Sequence, residues 1–337
     1  MFCNRSDRAL GREAVTLAAA AVLSAGLLAG CSGSRPSSEA SADAGQIHVV
    51  ASIFPEYDWT RNIIGDTEGA ELSLLIDSGT DMHSFQPAAS DILEISSSDL
   101  FIYVGGESDA WVEDVLKEPV NPDIVTVNLM EILGDAAYEE NEEELNGAAA
   151  EEDDEEAEYD EHVWLSIRNA RLFCSEITEA LCQADPGNED AYRANLAAYD
   201  AELAELEAAY EEVLSPGGDG PSAVVFGDRF PFRYLMKDYG IEYYAAFEGC
   251  SAETDASFET IIFLAGKVDE LGLNTVLTID GSDGKIAQTI VNNTEGKDQQ
   301  ILMLDSMQSV SSQQISEGIS YISAMKDNLE VLTKCSD

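Results

Sequence analysis

Positive charge is what this chain lacks. Its 337 residues carry 17 Lys and Arg against 66 Asp and Glu, a formal net charge of -49. Such a chain repels phosphate backbones and has no basic patch to offset the repulsion, which excludes nucleic acid as a partner. Long apolar runs are also scarce: after residue 30 nothing approaches the ~20 apolar residues needed to cross a membrane. Paired cysteines of the metal or redox type are missing too, because Cys174, Cys182, Cys250 and Cys335 show no C-x-x-C spacing. On one helix Cys174 and Cys182 would stand about 12 Å apart, too far to bridge. A Cys250 to Cys335 disulfide stays open. Histidine is limited to three residues, His48, His83 and His162.

What is present begins with the first thirty residues. Arg5, Arg8 and Arg12 form a basic start, an apolar run extends from Ala14 to Ala29, and Leu28-Ala29-Gly30-Cys31 closes it with small residues before a cysteine. This resembles a bacterial lipoprotein signal. The resemblance implies removal of residues 1–30, a diacylglycerol on the Cys31 thiol, and a protein tethered to the membrane on its extracytoplasmic side. Loss of three Arg with Asp7 and Glu13 would leave a charge of about -50. Residues 31–45, rich in Ser, Ala and Gly, read as a flexible tether.

Beyond the tether, short apolar runs alternate with helical patterns. Ile47 to Ser52, Leu72 to Ile76, Leu100 to Val104 and Ile124 to Val127 read as strands, with helices over Trp59 to Ile64 and Ser90 to Ile95. A second series, Ala223 to Phe226, Tyr243 to Phe247, Thr275 to Ile279 and Ile301 to Leu304, alternates with helices over Phe258 to Leu271 and Lys285 to Asn293. The expected fold is α/β: two lobes, 46–185 and 220–335, each with a mostly parallel four-stranded sheet flanked by helices. Between them Tyr192, Leu196, Tyr199, Leu203, Leu206, Tyr210 and Val213 recur at helical spacing, so one rigid helix over 186–215 should join the lobes. Its stripe makes a weak zipper, and a monomer is expected. One segment stands apart. From Glu139 to Glu161, 14 of 23 residues are acidic and none is basic, so 138–161 reads as a disordered loop that cannot bury apolar surface.

Two of the histidines sit where strands should end. His48 lies inside the first strand and reads as a packed strand residue. His83, within Gly79-Thr80-Asp81-Met82-His83-Ser84-Phe85-Gln86-Pro87, falls at the carboxyl edge where open α/β sheets place ligands, and His162, within Asp160-Glu161-His162-Val163-Trp164-Leu165, occupies a matching loop before a helix. Phe54-Pro55, Met82 to Asp91, Phe101-Ile102-Tyr103-Val104-Gly105-Gly106 and His162 to Ala170 together resemble the zinc/manganese substrate-binding proteins of ABC importers, over about residues 47 to 333.

The resemblance implies a divalent ion held between the lobes by His83 and His162. It also maps an acidic ligand onto Asp280, in Thr278-Ile279-Asp280-Gly281-Ser282-Asp283-Gly284-Lys285. At the third ligand the chain departs from the family pattern. Phe232-x-Tyr234 sets Arg229 where a His or Glu is usual, and arginine cannot ligate a cation. Two roles are then open to Asp228: to ligate the metal itself, or to pair with Arg229 behind the ligands and orient Asp280. Zn²⁺ suits two imidazoles with carboxylate; added carboxylate oxygens would admit Mn²⁺. The implied role is capture of the ion and its delivery to a membrane ABC permease. A manganese receptor, a metal-binding surface adhesin and a metal-dependent hydrolase are the alternatives; for the last, no nucleophile motif is visible. The acidic loop reads as a weak cation-gathering segment or as a plain solvated linker.

Overall fold

The computed structural model describes residues 46–140, 145, 158–251 and 255–335. The expected signal, the tether, Cys31 and most of the acidic loop lie outside these residues. Among the described residues no helix is long and apolar enough to cross a membrane.

The amino-terminal half alternates strand and helix: β1 (Ile47–Ala51), α1 (Phe54–Ile64), β2 (Ala70–Leu74), α2 (Ala89–Ser97), β3 (Leu100–Tyr103), α3 (Val112–Leu116), β4 (Val125–Asn128), α4 (Leu129–Leu133) and α5 (Ile167–Ala184). The carboxyl-terminal half follows α6 (Glu189–Leu214). It runs β5 (Ala223–Phe230), α7 (Arg233–Tyr239), β6 (Glu242–Glu248), α8 (Phe258–Leu271), β7 (Thr275–Ile279), α9 (Lys285–Asn293), β8 (Gln300–Leu304), α10 (Ser312–Ser316) and α11 (Tyr321–Lys334). Strand order is β2-β1-β3-β4 in one sheet and β6-β5-β7-β8 in the other, and all pairs are parallel. Both sheets reverse direction of winding beside their first strand, which opens a crevice at the carboxyl ends of the strands. The continuous apolar runs of β1, β3 and β7 are buried on both faces, as strands covered by helices on either side must be.

At 26 residues α6 spans about 39 Å. Its stripe is consumed inside the chain: Tyr192, Tyr199, Leu203, Leu206 and Tyr210 are buried, while Leu196 and Val213 pack against the same core. That core is continuous across the two sheets. It is tied by the Tyr210 hydroxyl donating to Met325 O at 2.6 Å and by the Tyr321 hydroxyl donating to Trp164 O at 2.8 Å. The last helix returns to the first lobe, where Tyr321 N donates to Asp58 Oδ2 at 2.9 Å.

The structure corrects the reading of 138–161 as wholly disordered. Both ends of the segment are built into a clasp in which Glu139 bridges Tyr159, Glu140 N donates to Glu158 O at 2.8 Å, and Asp160 N donates to Tyr138 O at 2.9 Å. Composition could not reveal this, because the carboxylates at the two ends are matched by partners from elsewhere. His48 behaves as a strand residue, its Nε2 3.3 Å from Glu71 on the neighbouring strand. All four described cysteines are free thiols.

Candidate metal centre

His83 is placed by a short turn after β2. Met82 is buried beneath this turn, and the Asp81 side chain caps it by accepting from His83 N at 3.0 Å. Behind the imidazole, Nδ1 lies 2.8 Å from Ser108 Oγ and 3.7 Å from Glu161 Oε2. Ser108 belongs to the loop after β3, which turns through Gly105 and Gly106 in the left-handed region, φ +87° and +78°. A side chain at Gly106 would also place its Cβ 2.3 Å from Glu161 Oε1. That oxygen accepts from Ser108 N at 3.0 Å. The Val104-Gly105-Gly106 sequence thus frames the imidazole's outer face.

His162 is 0% exposed, and Val163, Trp164 and Leu165 lock it in place by burying completely. Asp160 Oδ1 accepts from both the backbone N and Nδ1 of His162, each at 2.9 Å, which turns Nε2 outward. Asp160 Oδ2 accepts from Arg233 Nε at 3.2 Å, and Arg233, itself fully buried, donates onward to Glu140 at 2.5 Å. A buried charge of either sign is costly alone; the chain from Glu140 through Arg233 to Asp160 neutralises it.

The two imidazoles converge, Nε2 to Nε2, at 3.0 Å. Burial, with the positive charges of His162 and Arg229 adding, pushes His83 down to about 3. Burial alone would also depress His162, but its hydrogen bonds to Asp160 and Cys250 outweigh that and hold it well above the usual histidine range. Whichever of the two facing Nε2 atoms carries a proton must lose it before it can ligate a cation.

A third donor joins them. The Sγ of Cys250, just past β6, and one ring nitrogen of each histidine all lie within 4.8 Å of one another. Sequence reading gave Cys250 no metal role, because it has no spacing motif.

The carboxylates lie on the far wall of the cleft and do not enter this group. Asp280, at the end of β7, accepts from Ser306 N at 2.7 Å, Ser306 Oγ at 2.6 Å and Ser309 Oγ at 3.1 Å. Asp228 accepts from Arg229 N at 2.9 Å and from Ser282 Oγ. The anticipated ion pair between Asp228 and Arg229 is not what forms. Arg229 Nη2 instead donates to Asp81 Oδ2 at 2.6 Å, across the cleft, because the irregular end of β5 aims the guanidinium at the other lobe. Gln308 completes the bridge: its Nε2 donates to Asp81 at 3.1 Å and its Oε1 lies 3.1 Å from His162 Nε2. Asp81, Asp228, Arg229, Asp280 and Gln308 line one cavity of about 620 Å³. A second, of about 300 Å³, reaches His83 and Cys250 from the side of Glu107, Glu158 and Glu161.

Comparison with known proteins bears on the family and the fold. The family model described as zinc-uptake complex component A periplasmic (ZnuA) matches residues 49–335. The high-affinity zinc uptake system protein ZnuA of Bacillus subtilis strain 168 is 29% identical over 306 residues, which cover 91% of this chain and 92% of that protein. The zinc-binding lipoprotein AdcA of Streptococcus pneumoniae strain R6 is 27% identical over 297 residues, 87% of this chain; the chain spans only 56% of the length of such AdcA relatives. The crystal structure of the Zn(II)-bound ZnuA-like domain of S. pneumoniae AdcA superposes with a TM-score of 0.67 at 25% identity, covering 87% of this chain and 100% of that domain.

Proposed function

The chain belongs to the family of periplasmic component A proteins of zinc-uptake complexes, and from that premise we propose that it captures a divalent transition metal, zinc first, outside the cytoplasmic membrane and passes it to an ABC permease. The supporting observation is the 3.0 Å approach of two histidine Nε2 atoms whose opposite nitrogens are anchored by Ser108 and Asp160. Ring nitrogens held in this way are preoriented ligands, and imidazole suits zinc. His83 and His162 are the first two ligands in this reading. Asp280 is the carboxylate that closes on the ion, after release from Ser306 and Ser309, and Asp228 is the alternative. The protein is a receptor, not an enzyme. The amino-terminal segment delivers it to the outer face of the membrane, with Cys31 as the lipidated residue, in keeping with the AdcA relative that is named a lipoprotein.

Manganese is the competing cargo, since a site finished by two carboxylates would accept it. The test is competitive titration of the soluble form lacking residues 1–31 with Zn²⁺ and Mn²⁺, repeated for His83→Ala, Asp280→Ala and Asp228→Ala. Zinc binding lost in His83→Ala and weakened in Asp280→Ala is the expected result. Tight zinc binding that survives His83→Ala would overturn the site. Loss in Asp280→Ala without loss in Asp228→Ala would leave Asp228 outside the coordination sphere.

A further inference from the structure

We propose that Cys250 is the third protein ligand of this centre, and that its thiolate makes the site selective for zinc and softer ions over manganese. The proposal rests on the receptor reading of the two histidines. At the position where the family resemblance implies a third donor stands Arg229, whose guanidinium cannot ligate and is held by Asp81. In space the residue beside the histidine pair is Cys250, just past the next strand, β6. Sγ of Cys250 and one ring nitrogen each of His83 and His162 already lie within 4.8 Å of one another. Around a tetrahedral zinc, with bonds of about 2.0–2.1 Å to nitrogen and about 2.3 Å to sulfur, ring nitrogens sit about 3.3 Å apart and sulfur about 3.5 Å from each. The histidine pair, at 3.0 Å, is close to that spacing.

The backbone is shaped for this approach. Gly249 precedes the cysteine, and a Cβ there would stand 2.8 Å from both Cε1 and Nδ1 of His162, so only glycine lets the end of β6 pass against the ring. Gly249 N donates to Glu140 at 3.1 Å, which ties the turn to the buried chain of charges behind His162. Cys250 is a free thiol, as a ligand must be, and Cys335 is occupied elsewhere, donating to Val331 O at 3.3 Å. On metal entry the thiol proton leaves to solvent and one sulfur lone pair forms the coordinate bond. Two imidazoles and a thiolate match zinc and cadmium, whereas manganese prefers oxygen donors; the fourth position remains for Asp280 or water.

Loading the full chain, purified in detergent, with Co²⁺ reads the ligand directly. A cobalt–thiolate bond gives an intense near-ultraviolet charge-transfer band that nitrogen and oxygen ligands do not. The wild type should show this band. Cys250→Ser should bind cobalt without it, lose at least about tenfold in zinc affinity, as even a residue behind a ligand does when removed, and narrow the preference for zinc over manganese. The band in the wild type does not depend on how well any variant folds. Zinc binding that depends on His83, in a chain whose cobalt-loaded form shows no band and whose zinc affinity is unchanged in Cys250→Ser, would overturn the cysteine assignment alone. A wild-type chain that binds neither ion, or binds zinc equally well as His83→Ala, would overturn the receptor reading and this proposal with it.

Discussion

Gly249 illustrates how single residues set this centre. With a methyl group 2.8 Å from the His162 ring and 3.0 Å from Phe230 O, either the ring or the strand end must shift. The ring is clamped by Asp160 on one side and lies against the Trp164 ring on the other, centroids 5.1 Å apart. Gly249→Ala should therefore weaken zinc binding about 10- to 100-fold, the range seen when a ligand loses its orientation, while overpacking costs the metal-free fold about 1–3 kcal/mol. Zinc competition titration and urea unfolding of the same variant separate the two effects; unchanged zinc affinity would show that the ring has slack. The two histidines were legible in the sequence because each sits in a long motif at a strand end. Cys250 was not, since proximity to His162 arises only when the ends of two separate sheets face each other. For the same reason Asp81, 148 residues from Arg229, and Gln308, 146 residues from His162, carried no signal. Asp160 stood two positions before His162, but its importance depends on Arg233, whose burial no local pattern announces.

Among the elements, α6 was the most readable, because its 3.6-residue stripe runs unbroken through positions of high helix propensity. Strand positions were equally clear, and only their edges moved: β2 begins at Ala70 and β5 continues to Phe230. The clasp at Glu139 and Tyr159 was misread because charge density is evidence against burial only when no counter-charge is available. The helix does more than separate the sheets. Since Tyr210 reaches Met325 O and Tyr199, Leu203 and Leu206 feed the shared core, it is glued to both ends of the molecule. Leu203, completely buried at its middle, is the residue to test. Leu203→Ala should cost about 2–5 kcal/mol by opening a cavity, read as a lower urea midpoint with an unchanged slope. Zinc affinity of the folded variant should stay within about threefold of wild type, given that the strut lies outside the centre and distant sites act independently. A large loss of zinc affinity would instead make α6 part of the closing movement.

For the whole molecule, pH sorts its carboxylates into two populations. A fully solvated carboxyl ordinarily ionises near 4, so repulsion between such groups changes little above about pH 6. Buried carboxyls continue to respond. Glu56 is fully buried at the start of α1, and burial, with the charge of Asp109 adding, pushes it from 4.5 up to about 8. In the unfolded chain the same group is ionised from about pH 4.5 upward. Between these values the native state holds a proton that the unfolded state has released, so stability falls as pH rises and levels off once the native group ionises near 8. The slope is at most about 1.4 kcal/mol per pH unit for one such group. Asp109, pushed up to about 7 by burial, adds a fall of the same sign. Urea unfolding of the metal-free chain should therefore show a loss of about 2–3 kcal/mol from Glu56 between pH 6 and pH 8. High salt, which screens surface repulsion, should leave that loss in place. Glu56→Gln keeps a neutral acceptor for Ser52 N at 2.9 Å and Ile53 N at 3.2 Å. It should retain only the smaller fall due to Asp109, and become more stable than wild type above pH 8. A variant whose stability declines as steeply as the wild type would mean that Glu56 is already ionised in the native protein.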